Sequence, residues 1–135
     1  MSVLSLEKSY SPLTFVGHSK GGAEASANAV ATGKNAIVFN PAYANLSAYD
    51  LGNSNYTESL KSYVVKGDIL DTVNSATRFI VSGKKIGTRH DLKQQHFVSG
   101  WVKLTIAKTT AQVTAGVKNH LMGAVISALE KEGYK

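Results

Sequence analysis

Short apolar runs punctuated by glycine, proline and asparagine fill the first half of the chain, and their lengths suit strands rather than helices. Leu13-Thr14-Phe15-Val16, held between Pro12 and Gly17, predicts a buried strand. From Lys20 to Thr32 alanine recurs at positions 23, 25, 27, 29 and 31. Alanine is a strong helix former, so this segment is expected to be a helix whose small side chains pack closely on a sheet, with Gly33 as its C-cap. Ala36-Ile37-Val38-Phe39 repeats the apolar run and stops at Asn40-Pro41. Strand, helix and strand in this order make a βαβ unit, whose right-handed crossover leaves the two strands parallel.

Further along the pattern is less regular. Ser62-Tyr63-Val64-Val65 predicts a third strand ending at Lys66-Gly67-Asp68, and Ile69 to Ser75 suits a short helix. Arg78 to Ser82 predicts another strand. Trp101 to Ile106 predicts one more, with the alternation of a half-exposed antiparallel strand. Asn119 is placed to cap a helix from His120 to Lys131, whose apolar residues Leu121, Met122, Val125, Ile126 and Leu129 follow helical spacing. Val3, Leu4 and Leu6 suit the last turns of a helix before Pro12. Residues 42–57 and 83–100 are polar, loop-like and candidates for a lid. The expected class is α/β: about three parallel strands plus a small antiparallel addition, flanked by helices.

At 135 residues and 43% hydrophobic the chain has the size and apolar content of one folded domain. It carries no apolar stretch long enough for a transmembrane helix and no basic segment followed by an apolar one at its start, so a soluble protein without a signal peptide, cytoplasmic by default, is expected. The absence of cysteine excludes disulfides, thiolate metal sites and cysteine nucleophiles. A net charge of +6 favours anionic partners in general. The densest cluster, Lys84, Lys85, Arg89 and His90, falls at a predicted turn without any nucleic-acid-binding motif, so a solvated basic surface is expected rather than a nucleic-acid site.

The chemistry concentrates in Gly17-His18-Ser19-Lys20-Gly21, a G-x-S-x-G pattern with Gly22 after it. A predicted strand enters it and a predicted helix leaves it, the setting of a nucleophile elbow. Such a turn lifts serine above the sheet and brings strand and helix so close that glycine is expected two positions to either side, at Gly17 and Gly21. Ser19 is then the candidate nucleophile, and the Lys20 N–H, at the positive end of the helix, the candidate oxyanion donor. The plainer alternative is a glycine-rich turn that packs tightly or binds a phosphate, although neither dinucleotide-binding nor P-loop spacing is present. A serine hydroxyl needs a histidine base oriented by a carboxylate. Asp68 lies at the carboxyl end of a predicted parallel strand, where open α/β sheets place their sites, with Asp71 as its rival. His18 belongs to the elbow as a packing or hydrogen-bonding residue, while His90, His96 and His120 lie downstream. The histidines lack ligand spacing, so neither metal nor cofactor is expected.

The run Leu13-Thr-Phe-Val-Gly-His-Ser-Lys-Gly-Gly-Ala resembles the elbow of α/β-hydrolases, in particular the lipase class 3 type, where G-H-S-x-G-G-A is usual. Ala36-Ile-Val-Phe-Asn-Pro is similar to the strand and turn that follow the elbow helix there, and Tyr63-Val-Val-Lys-Gly-Asp-Ile-Leu to the strand ending in the triad acid. The segment from Asn119-His120 into the last helix resembles the family's terminal histidine. The resemblance implies a triad of Ser19, Asp68 and His120, with His96 the rival base, acting on an acyl ester or lipid. Lys20 departs from the usual leucine but retains the backbone N–H.

In that family several strands precede the elbow, whereas about twelve residues precede Leu13 here. The expectation is therefore one truncated hydrolase-like domain over residues 1–135, with a single oxyanion donor at Lys20. Loss of the second such donor costs about 10²–10³ in turnover. The elbow strand would lie at a sheet edge, inviting self-association or a complementing chain along Leu13–Val16. The main rivals are an inactive hydrolase-like module that binds or assembles with a partner, and a basic binding protein without hydrolytic function.

Overall fold

In the computed structural model the described residues are 12–43, 45–46, 50–51, 55–70, 80–81, 84–98 and 107–134. The expected βαβ unit is formed by β1 (Thr14–His18), α1 (Lys20–Thr32) and β2 (Asn35–Phe39). β1 and β2 run parallel, with Thr14 opposite Asn35 and His18 opposite Phe39. The alanines of α1 serve their expected purpose: Ala25 and Ala29 are buried against Ala36, Val38 and Leu60. Gly33 ends the helix in the left-handed conformation, φ 63°, with its N–H donating to Ala29 O. The Tyr56 hydroxyl donates to Lys34 O at 2.7 Å beside the start of β2. Burial, reinforced by the Glu58 charge, pushes that phenol up to about 12.

Four more strands follow: β3 (Leu60–Val65), β4 (Ile80–Val81), β5 (Lys84–Lys85) and β6 (Thr88–Leu92). β3 pairs with β2 on one side and β6 on the other, so the main sheet has four parallel strands in the order β1-β2-β3-β6, one more than the apolar runs suggested. β4 and β5 form a separate antiparallel pair. β6 escaped sequence reading because, among the described residues, it is an edge strand, of sequence TRHDL, in which only Leu92 is fully buried. Edge strands tolerate charge, and the basic cluster predicted at a turn instead spans β5 and β6. β1 is the other edge among the described residues; Phe15 is half-buried and Val16 is 65% exposed, so the strand is not the fully buried one its apolar run suggested.

Successive strand residues face opposite sides of the sheet, and both sides are covered. Ala36, Val38 and Leu60 meet α1, whereas Phe39, Tyr63, Val65 and Leu92 meet Val125 and Ala128 of the last helix. On that second face Phe39, Tyr63 and His90 stack across three strands, with ring centroids 5.7 and 4.8 Å apart. The helical end of the chain is two helices, α2 (Ala107–His120) and α3 (Met122–Lys131). The expectation that Asn119 caps a helix beginning at His120 is corrected: Asn119 lies in the last turn of α2, and Leu121, with extended backbone, is the N-cap of α3. Ile69 and Leu70 are helical as expected. The rest of that helix, the Val3–Lys8 turns and the Trp101–Ile106 strand lie outside the described residues. No helix among the described residues is long and apolar enough to cross a membrane.

Ser62, in the middle of β3 and 1% exposed, has no hydrogen-bond partner for its hydroxyl among the described residues. Removing an unpaired buried hydroxyl relieves its desolvation cost, so Ser62→Ala is expected to leave stability unchanged or raise it by about 1 kcal/mol. Urea unfolding of both proteins measures this, and a clear loss of stability would contradict it.

Candidate active site

The elbow is built from a steric conflict that only glycine avoids. A Cβ on Gly17 would lie 2.1 Å from Gly21 O and 2.7 Å from Gly22 N, so the end of β1 and the start of α1 touch through bare backbone. Ser19 joins them at φ 55° and ψ −123°, a conformation L-residues rarely adopt. Its carbonyl accepts from Gly22 N, Ala23 N and Ala42 N at 3.0, 3.2 and 2.9 Å, and its N–H donates to Phe39 O at 3.1 Å. The reading of Gly21 as a position closed to side chains is corrected, because a Cβ there meets nothing within 4 Å. It is the carbonyl of Gly21 that crowds Gly17. The second tight position is Gly22, whose Cβ would meet Pro41 Cβ at 2.9 Å.

Two other segments converge on Ser19. β3 is followed by a turn, Lys66-Gly67, with Gly67 at φ 82°, and then by Asp68, fully buried. Asp68 Oδ1 accepts from Leu70 N at 2.9 Å and from His120 Nδ1 at 2.9 Å. His120, the last residue of α2, has its Nε2 2.7 Å from Ser19 Oγ. A carboxylate only accepts, so Nδ1 carries the ring proton and Nε2 is left to accept from the serine hydroxyl. The Lys20 N–H sits at the first helical position, where no carbonyl of the helix can reach it. Its side chain is exposed, 3.8 Å from Glu24.

Of the remaining candidates, His18 Nε2 donates to His120 O at 2.7 Å, and the two rings are 5.2 Å apart. His90 lies in β6 against Tyr63, and His96 is exposed, with its backbone rather than its ring engaged by Asn119. Asp71 lies outside the described residues. Among the described residues no three His, Asp or Glu side chains are grouped to hold a metal ion.

Two buried residues of the site were missed by sequence reading, Asn40 and Asn119. Asn119 Oδ1 accepts from Gln95 N and His96 N at 3.1 and 2.9 Å, and its Nδ2 donates to His96 O at 3.0 Å. It thereby ties the end of α2 to the segment leaving β6. Asn40 stood in the sequence as a strand stop and as part of the family-like Asn-Pro turn, with no role assigned to its side chain. Its one local signal was Asn before Pro, since asparagine tolerates positive φ and the residue preceding proline avoids the right-handed helical region.

A parallel sheet with helices on both faces, a serine at the apex of a strand-to-helix elbow, and an acid and a histidine beyond the carboxyl ends of the strands together describe a lipase-type α/β-hydrolase architecture. A phospholipase-like family model, the Tle-like phospholipase domain, matches residues 4–127, and the chain belongs to that family. Comparison with curated proteins found no match.

Proposed function

We propose that the chain cleaves an acyl ester of a lipid through Ser19, His120 and Asp68. Ser19 Oγ attacks the ester carbonyl carbon while His120 Nε2 takes its proton, and Asp68 stabilises the imidazolium that results. The Lys20 N–H holds the oxyanion of the tetrahedral intermediate. Its collapse breaks the ester bond, His120 returns the proton to the departing alcohol, and a water activated by the same histidine then hydrolyses the acyl-serine. The observation that carries this reading is the continuous hydrogen-bonded line from Ser19 Oγ through His120 to the buried Asp68, with contacts of 2.7 and 2.9 Å. An apolar substrate is supported by the exposed Val113 and Val117 on α2, which ends at His120, and by the exposed Leu121 that follows it.

The test presumes no substrate. A fluorophosphonate incubated with the purified chain is expected to add once, and peptide mass mapping is expected to place the adduct on Ser19. A folded chain that stays unmodified, or is modified elsewhere, overturns the proposal. A second reading, an assembly module that gains a strand from another chain along Leu13–Val16, is supported by the edge position of β1 and the 65% exposure of Val16. It predicts a folded oligomer in which Ser19 does not react, so molecular mass in solution read beside the labelling separates the two.

A further inference from the structure

We propose that Asn40 is a positioning residue which fixes the base relative to the nucleophile, an inference that rests on the reading of Ser19 and His120 just given. Asn40 is fully buried at the end of β2 and held at φ 39°. Its Nδ2 donates to Asn119 O at 2.9 Å and to His120 O at 3.1 Å, while its Oδ1 accepts from Val65 N at 2.8 Å. Its own N–H donates to Tyr63 O at 2.9 Å. One side chain thus joins the ends of β2 and β3 to the end of α2.

The physical need is specific. The last carbonyls of a helix have no donor within it, and His120 ends α2. Asn40 supplies the donors for Asn119 O and His120 O, and His18 adds a second donor to His120 O. His18 immediately precedes Ser19 in the elbow. The residues on either side of Asn40 grip Ser19 directly: Phe39 O accepts from Ser19 N, and Ala42 N donates to Ser19 O. Pro41 packs on Gly22 at a distance that admits no Cβ. The four residues Phe39 to Ala42 therefore hold the serine by its backbone and the histidine by its carbonyl. The 2.7 Å contact between Ser19 Oγ and His120 Nε2 is set by this common clamp, because both main chains are referred to one turn.

Asn40→Gly preserves access to positive φ while removing the donors. It is expected to fold, and to lose about 10- to 100-fold in the maximal rate of fluorophosphonate acylation with little change in probe affinity, since small displacements of a catalytic group carry penalties of that size. It is also expected to broaden or abolish the downfield proton resonance of His120 Nδ1–H against Asp68. Ala29→Gly, in the packed face of α1, controls for lost stability alone and is expected to leave both readouts at wild-type values. Should Asn40→Gly not fold, His18→Phe, which removes the other donor to the same carbonyl, is expected to show a several-fold loss with the same broadening. A folded Asn40→Gly or His18→Phe with wild-type acylation and a sharp resonance overturns the inference. If the wild-type chain itself resists acylation, the hydrolase reading fails, and the resonance alone decides whether Asn40 orders His120.

Discussion

Asp68→Ala is expected to lower the rate of Ser19 acylation by about 10⁴-fold, and Asp68→Asn by a loss of the same order. Both losses come from the bonding and charge of one carboxylate. Asp68 Oδ1 accepts from both His120 Nδ1 and Leu70 N. Asparagine removes the charge that stabilises the imidazolium, and its NH2, when turned toward Nδ1, selects the tautomer protonated on Nε2, which cannot take the serine proton. Alanine removes the charge and the anchor together, leaving Nδ1–H and Leu70 N–H without their acceptor in a buried place. Single-turnover labelling with a fluorophosphonate measures both variants, with circular dichroism as the check on folding. Full activity in Asp68→Asn would show that neither the charge nor the tautomer it selects matters, and no loss in either variant would remove Asp68 from the site.

How much of this was legible depends on where each residue's partners lie. The βαβ unit was readable because its signals are local: two apolar runs, an alanine-rich segment and Gly33 as a stop. β6 was not, because an edge strand satisfies its backbone on one side only and need not be apolar. α2 was missed for a related reason. It packs through small residues, Ala115 and Gly116, with a Cβ on Gly116 falling 3.2 Å from Ile69 Cβ, while Val113 and Val117 face outward. The apolar spacing of an ordinary amphipathic helix is therefore absent. Asn119 fitted the capping rule and was read as a cap, yet its amide bonds the backbone of Gln95 and His96, more than twenty residues away. The candidate triad was easier, since Ser19 carries its own motif and the segments around Asp68 and His120 resemble a known family. Asn40 lay in a run that resembles the same family, but no role for its side chain was legible, because among the described residues it bonds main-chain atoms of Val65, Asn119 and His120, which any sequence would supply.

Gly17→Ala is expected to destabilise the fold by more than about 4 kcal/mol or to prevent folding, whereas Gly21→Ala, four residues away in the same motif, is tolerated. The methyl added at position 17 would lie 2.1 Å from Gly21 O and 2.5 Å from Gly21 C, contacts with backbone that no side-chain rotation relieves. Relief requires α1 to move off β1. That shift would break the bonds from Gly22 N, Ala23 N and Ala42 N to Ser19 O, and would open the packing of Ala25 and Ala29 on Ala36 and Val38. At Gly21 nothing lies within 4 Å of a Cβ, and alanine in a helix is favoured over glycine by about 1 kcal/mol, so the second variant is expected to match or exceed wild-type stability. Expression and thermal unfolding of the two single variants test the pair. A well-folded Gly17→Ala would mean that strand and helix can separate at the elbow. Because the strained backbone of Ser19 is sustained by that same contact, such a variant should also lose acylation of the serine.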